Sequence, residues 1–175
     1  MKKLLLLLTL VLGFAYTSQA QDYKTSLGLR LGWGYGFTIK HFVSDKIAIE
    51  GIASTRYFGN AKIGNSGYFG HSSRGVNITG LVEWHFPIGN IDGFQWFVGG
   101  GVHVGFWRGE NGHPNYPEER TYFVTGLDAI GGVQYTLPKK PWTFQVDIKP
   151  VINLVNGFNV WADEIGITAR YVIGK

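Results

Sequence analysis

From Thr25 onward, apolar residues recur at every second position in eight runs, approximately 25–33, 36–43, 46–58, 75–87, 94–107, 121–137, 142–154 and 162–174. A period of two is the period of a strand, and helical spacing is almost absent after the first twenty positions. In the fourth run Val76, Ile78, Gly80, Val82, Trp84 and Phe86 share one face, and Asn77, Thr79, Leu81, Glu83 and His85 share the other. The fifth sets Phe94, Trp96, Val98, Val102, Val104 and Phe106 against Gln95, Gly99, Gly101, His103 and Gly105. The seventh sets Trp142, Phe144, Val146, Ile148, Ile152 and Leu154 against Thr143, Gln145, Asp147, Lys149 and Asn153. The eighth sets Ile165, Ile167, Ala169, Tyr171 and Ile173 against Glu164, Thr168 and Arg170. The chain is therefore expected to be all-β.

Both a soluble sandwich and a barrel produce such alternation, and the character of the polar face separates them. A sandwich turns that face to bulk water, which favours many charges and little glycine. Here charged residues are only 16% of the chain, and Gly contributes 26 residues, many of them on the polar faces. A face of isolated charges among Gly, Thr, Asn and Gln fits a narrow interior. The connections also alternate. After a tight turn from Trp33 to Gly36, those at 43–46 and 138–141 are short, those at 59–74 and 108–120 are long, and those at 87–93 and 155–161 are moderate. Short turns on one side and longer loops on the other are the pattern of a transmembrane β-barrel. Large rings stand near the strand ends on the apolar side: Trp33, Tyr57, Trp84, Phe86, Phe94, Trp96, Phe106, Tyr135, Trp142, Trp161 and Tyr171. Such rings favour the headgroup level of a bilayer. The expectation is an eight-stranded antiparallel transmembrane barrel in one domain, 21–175. Pro150 lacks a ladder donor, so a bulge or weakened pairing is expected there.

The start, MKKLLLLLTLVLGFAYTSQA, has two lysines, an apolar run and a small-x-small site at Ser18-Gln19-Ala20. It reads as a signal peptide over 1–20, with an apolar run shorter than the ~20 residues of a spanning helix. Without Lys2 and Lys3 the cations fall from 16 to 14 against 12 carboxylates, about +2, which gives no argument for a nucleic-acid partner. No cysteine is present, so neither a disulfide framework nor a lipid-anchored cysteine is available.

The segments GLRLGWGYGFTIKHF, GLVEWHF, GLDAIGGVQY and ITARYVIG resemble small outer-membrane β-barrel proteins of Gram-negative bacteria, the group of OmpA-like and OmpX-like eight-stranded barrels, and most resemble those common in Bacteroidota. The resemblance spans nearly all of 25–174 and lies in pattern. It implies a barrel in the cell outer membrane and says little about activity.

Parity directs Arg30, Lys40, Glu50, Arg56, Glu83, Asp128, Asp147, Lys149, Glu164 and Arg170 inward, with His85 and His103. An eight-stranded barrel is just wide enough to be filled by side chains, so five cations and five anions are expected to interlock as a plug. Arg170 or Arg30 is the expected partner of Glu83. Glu83, His85 and His103 on neighbouring runs are also a possible metal or acid-base group, although tight sites usually take three or four ligands. His71-Ser72-Ser73 suggests a nucleophile but lacks a placed acid or oxyanion donor. No cofactor is expected. The expected role is structural or interactive without turnover, in a monomer whose partners are outer-membrane lipid and, through loops 59–74 and 108–120, a surface partner. A lipid A-modifying enzyme, a narrow channel and a soluble periplasmic ligand-binding barrel remain open alternatives.

Overall fold

The structure is a computed structural model and describes residues 23–32, 34–57, 74–109, 118–155, 159–161 and 165–174. Its strands are β1 (Thr25–Leu31), β2 (Tyr35–Phe42), β3 (Ile47–Tyr57), β4 (Arg74–Pro87), β5 (Phe94–Arg108), β6 (Thr121–Thr136), β7 (Trp142–Ile148), β8 (Val151–Asn153), β9 (Asn159–Trp161) and β10 (Ile165–Gly174). Each of β1 to β6 pairs antiparallel with the next, β6 pairs with β7, β7 with β10, and β10 with β1, which closes the ring. The ten segments make eight staves, because β7 and β8 share the seventh and β9 and β10 the eighth. The fold is a closed eight-stranded antiparallel barrel.

Pro150 accounts for the division of the seventh stave. The ladder is interrupted at Lys149 and Pro150, yet register against β6 is unchanged, since Ile148 faces Gly131 and Val151 faces Asp128. Pro150 has no N–H to give, but its carbonyl still accepts from Ala129 N–H at 2.9 Å. The shift appears on the other side. Val151 faces Trp161 while Ile148 faces Ile165, so the pairs are three residues apart on one stave and four on its neighbour. The connection expected to extend to Trp161 is also shorter than its sequence suggested, because Asn159–Trp161 pairs with β8.

Alternation makes the ring two-faced. Outward stand Leu29, Phe37, Ile49, Ile78, Val102, Leu127, Val146 and Ile167, one from each stave and all exposed. On β4 this apolar face runs from Val76 to Phe86. Ten residues of rise at a tilt near 40° give a band about 25 Å tall. Rings collect at the rim with the short turns, where Phe86 stacks on Trp96 at 4.5 Å, Phe94 meets Tyr135 at 6.1 Å and Trp142 meets Tyr171 at 5.4 Å. Phe106 and Phe123 pair toward the opposite rim at 5.6 Å. Trp84 is also outward, and Trp33 and the side chains of Tyr57 and Trp161 lie outside the described residues.

Inside, apolar residues form three separate groups. Tyr23, Phe42 and Ala48 pack at the short-turn end, and Ile52, Leu81, Phe97 and Ile130 pack midway. Trp107, Tyr122 and Val124 pack toward the long loops, where Trp107 donates to Asn77 Oδ1 at 3.2 Å. Gly75 makes room for that indole, since a Cβ there would stand 2.6 Å from Trp107 Cδ2.

Candidate functional site in the barrel interior

Strands β2, β3 and β4 lie side by side and send Lys40, Glu50 and Glu83 to the same face. Lys40 and Glu50 are directly opposite in register. The Lys40 ammonium reaches both carboxylates, Glu83 Oε2 at 2.5 Å and Glu50 Oε2 at 3.1 Å. It also donates to Gln145 Oε1 at 2.8 Å across the barrel and stands 4.6 Å from the centre of the Phe97 ring. Arg170, from β10, spans from the other side. Its guanidinium pairs with Glu50 and donates to Gln145 Oε1 at 2.8 Å, while Thr38 also donates to Glu50. Gln145 passes the chain onward by donating to Asp147 Oδ2 at 2.8 Å. Asp147 accepts both arms of Arg30 at 2.5 and 2.7 Å, the fork geometry that fits guanidinium to carboxylate. Gly166 is what admits that guanidinium, for a Cβ there would lie 2.2 Å from Arg30 Cζ. At the short-turn end, Gln134 donates to Tyr23 Oη at 3.0 Å.

Glu83 is thus compensated by Lys40, whereas Arg170 is held by Glu50 and Arg30 by Asp147. The expected Arg partners are displaced because Lys40 sits two staves from Glu83, across β3, whereas Arg30 is three staves away and Arg170 four. His85 Nε2 lies 3.0 Å from Glu83 Oε2, and its ring is stacked on Phe97 at 5.0 Å with Phe42 against its other side at 4.8 Å. His85 Nδ1, Glu83 Oε1 and Gln95 Oε1 make no hydrogen bond among the described residues.

A second cluster stands nearer the long loops. Asp128 accepts from Lys149 Nζ at 3.0 Å and faces His103 Nδ1 at 2.7 Å, and His103 Nε2 is 2.8 Å from Asn153 Oδ1. Both ring nitrogens are engaged. The ring therefore either donates twice as an imidazolium or, when neutral, receives the NH₂ end of the Asn153 amide. His103 is opposite Thr79, four residues along β4 from Glu83, so the three side chains considered as a possible metal or acid-base group do not converge. Among the described residues no three His, Cys, Asp or Glu side chains gather as a metal site.

Arg30, Lys40, Lys149 and Arg170 are buried with Glu50, Glu83, Asp128 and Asp147, four cations with four anions. Each of these carboxylates has a cationic partner. The side chain of Arg56, all of Glu164 and the triplet 71–73 lie outside the described residues. Attention to polar residues missed Phe97 and Trp107. The parity that puts Gln95 and His103 inside also puts these two there, and that was the available signal.

The chain matches no protein-family model and no curated protein. Among solved structures it is similar to the crystal structure of the N-terminal β-barrel domain of Pseudomonas aeruginosa OprF. The TM-score is 0.61 with 12% identity, over 89% of this chain and all of that one. The likeness is one of fold.

Proposed function

We propose that this chain is an integral protein of the bacterial outer membrane whose closed, side-chain-filled barrel serves a structural or surface-interaction role without turnover. The observation that carries the reading is the outer wall. Large apolar side chains are exposed on every stave, in a band about 25 Å tall with rings toward its edges. A water-facing protein rarely exposes apolar patches beyond a few hundred Å². The fold likeness to the OprF barrel domain supports the same reading. The sequence resemblance supports a Gram-negative origin of Bacteroidota type and an OmpX-like grouping. Residues 1–20 then direct export, both termini face the periplasm, and the longer connections face outward. The balanced charges inside act as a plug that holds the staves together where lipid removes any hydrophobic drive inward. Outer-membrane lipid is the principal partner of the monomer, and loops 59–74 and 108–120 are where a surface partner would bind.

Cell fractionation combined with gel migration of unboiled and boiled samples tests the membrane reading. Recovery in the outer-membrane fraction and heat-dependent migration are expected. Recovery in the soluble fraction with identical migration would refute it. Planar-bilayer recordings test the plug, with no steady conductance expected, and a stable single-channel current would require an open interior instead.

A further inference from the structure

The short-turn rim carries a feature that neither plug nor wall requires. Residues 137–141 form the turn between β6 and β7, in which Leu137 N–H donates to Trp142 O at 2.9 Å. Within it Lys139 adopts φ 66°, a left-handed conformation that a side-chain-bearing residue adopts only at a cost. The neighbouring turn between β4 and β5 meets the same demand with Gly89 and Gly93, at φ 57° and 79°. A lysine kept where glycine would relax the backbone points to a use for its side chain.

That side chain has company. Lys139 and Lys140 are exposed, and so is Lys24 at the start of β1. The turn is tied to β10 by Val172 N–H donating to Pro141 O at 2.9 Å, and β10 pairs with β1, so the three lysines occupy one sector of the rim. None of them has an ion-pair partner among the described residues. The described carboxylates of this rim, Asp45 and Asp92, sit in the other two turns. Directly beside the lysines, on the outer wall, stands the Trp142–Tyr171 pair.

We propose that Lys139, Lys140 and Lys24, together with the Trp142–Tyr171 pair, form a docking surface for the phosphodiester headgroup of an anionic glycerophospholipid in the leaflet that the short turns face. The cations supply charge complementarity, the rings mark the headgroup level, and the lipid's acyl chains continue onto the apolar wall. The inference rests on the membrane reading above.

Native mass spectrometry of the full chain, folded in micelles and titrated with phosphatidylglycerol or phosphatidylcholine, tests it. The unaltered chain should bind the first phosphatidylglycerol more tightly than phosphatidylcholine. Lys139→Gln and Lys140→Gln should each reduce that preference about fivefold, from a contribution near 1 kcal/mol per lysine. Asp92→Asn, in the turn between β4 and β5 on the far side of the same rim, should leave it unchanged, and heat-dependent migration certifies that each variant is folded. Equal affinity of the unaltered chain for the two lipids, or full retention of the preference in K139Q/K140Q, would overturn the headgroup site while leaving the membrane reading intact. A chain that fails to insert into phosphatidylcholine vesicles at all would overturn both.

Discussion

Lys40 is the residue on which the interior network should depend most. Its ammonium touches Glu83 at 2.5 Å and Glu50 at 3.1 Å, and all three side chains are fully buried. At an effective dielectric near 20 the two contacts represent about 7 and about 5 kcal/mol of gross attraction. Desolvation of each ion offsets several kcal/mol of that. Lys40→Met keeps the apolar stem against Phe97 but leaves the buried Glu83 carboxylate without its cation, while Glu50 keeps Arg170. The expected loss is about 3–5 kcal/mol, a hundredfold or more in the folded-to-unfolded ratio. Urea titration in lipid vesicles, followed by tryptophan fluorescence and by migration of unboiled samples, reads it. Glu83→Gln in the same background removes the stranded charge, so the double variant should recover part of the loss, with a coupling of about 1–3 kcal/mol. A Lys40→Met barrel within about 1 kcal/mol of the unaltered chain would show that the carboxylates do not depend on the lysine, and the interlocked-plug reasoning would fail.

Other substitutions probe the remaining features. Val102→Arg, at the middle of the outward face of β5, should cost about 2–4 kcal/mol in vesicles, and an unchanged unfolding curve would count against a lipid-facing wall. Trp107→Ala should cost about 3–5 kcal/mol by emptying the apolar group under the long loops, read in the same titration. Gly166→Ala should push the Arg30 guanidinium off Asp147, destabilising the barrel by an amount that Asp147→Asn in the same chain partly restores.

Much of this architecture was legible because strand parity is a local property. Once Val82 and Trp84 are assigned to one face, Glu83 and His85 must take the other, and no long-range information is needed. Pairing inside the ring is a different kind of fact. Arg30 meets Asp147 across 117 residues, and Arg170 meets Glu50 across 120. Nothing in the local sequence at Glu83 distinguishes Lys40 from Arg170 or Arg30 as its partner, because that choice follows from which staves become neighbours after closure. The irregularity near Pro150 was legible as a missing donor. Its effect on register appeared in the facing stave, which sequence does not indicate.

The span of these contacts bears on how the barrel comes together. Lys40 with Glu50 and Glu83 assembles within the consecutive hairpins β2 to β4, and Asp128 with Lys149 within β6 and its successor. Arg170 with Glu50, Arg30 with Asp147 and Lys40 with Gln145 need the first staves to meet the last. An open sheet therefore carries Asp147 and two arginines without their counterparts, in a face that, on the membrane reading proposed above, lipid cannot solvate. Closure of the β1–β10 seam neutralises these groups together, so half-closed rings are disfavoured and, on the proposed membrane reading, insertion should approach an all-or-none event.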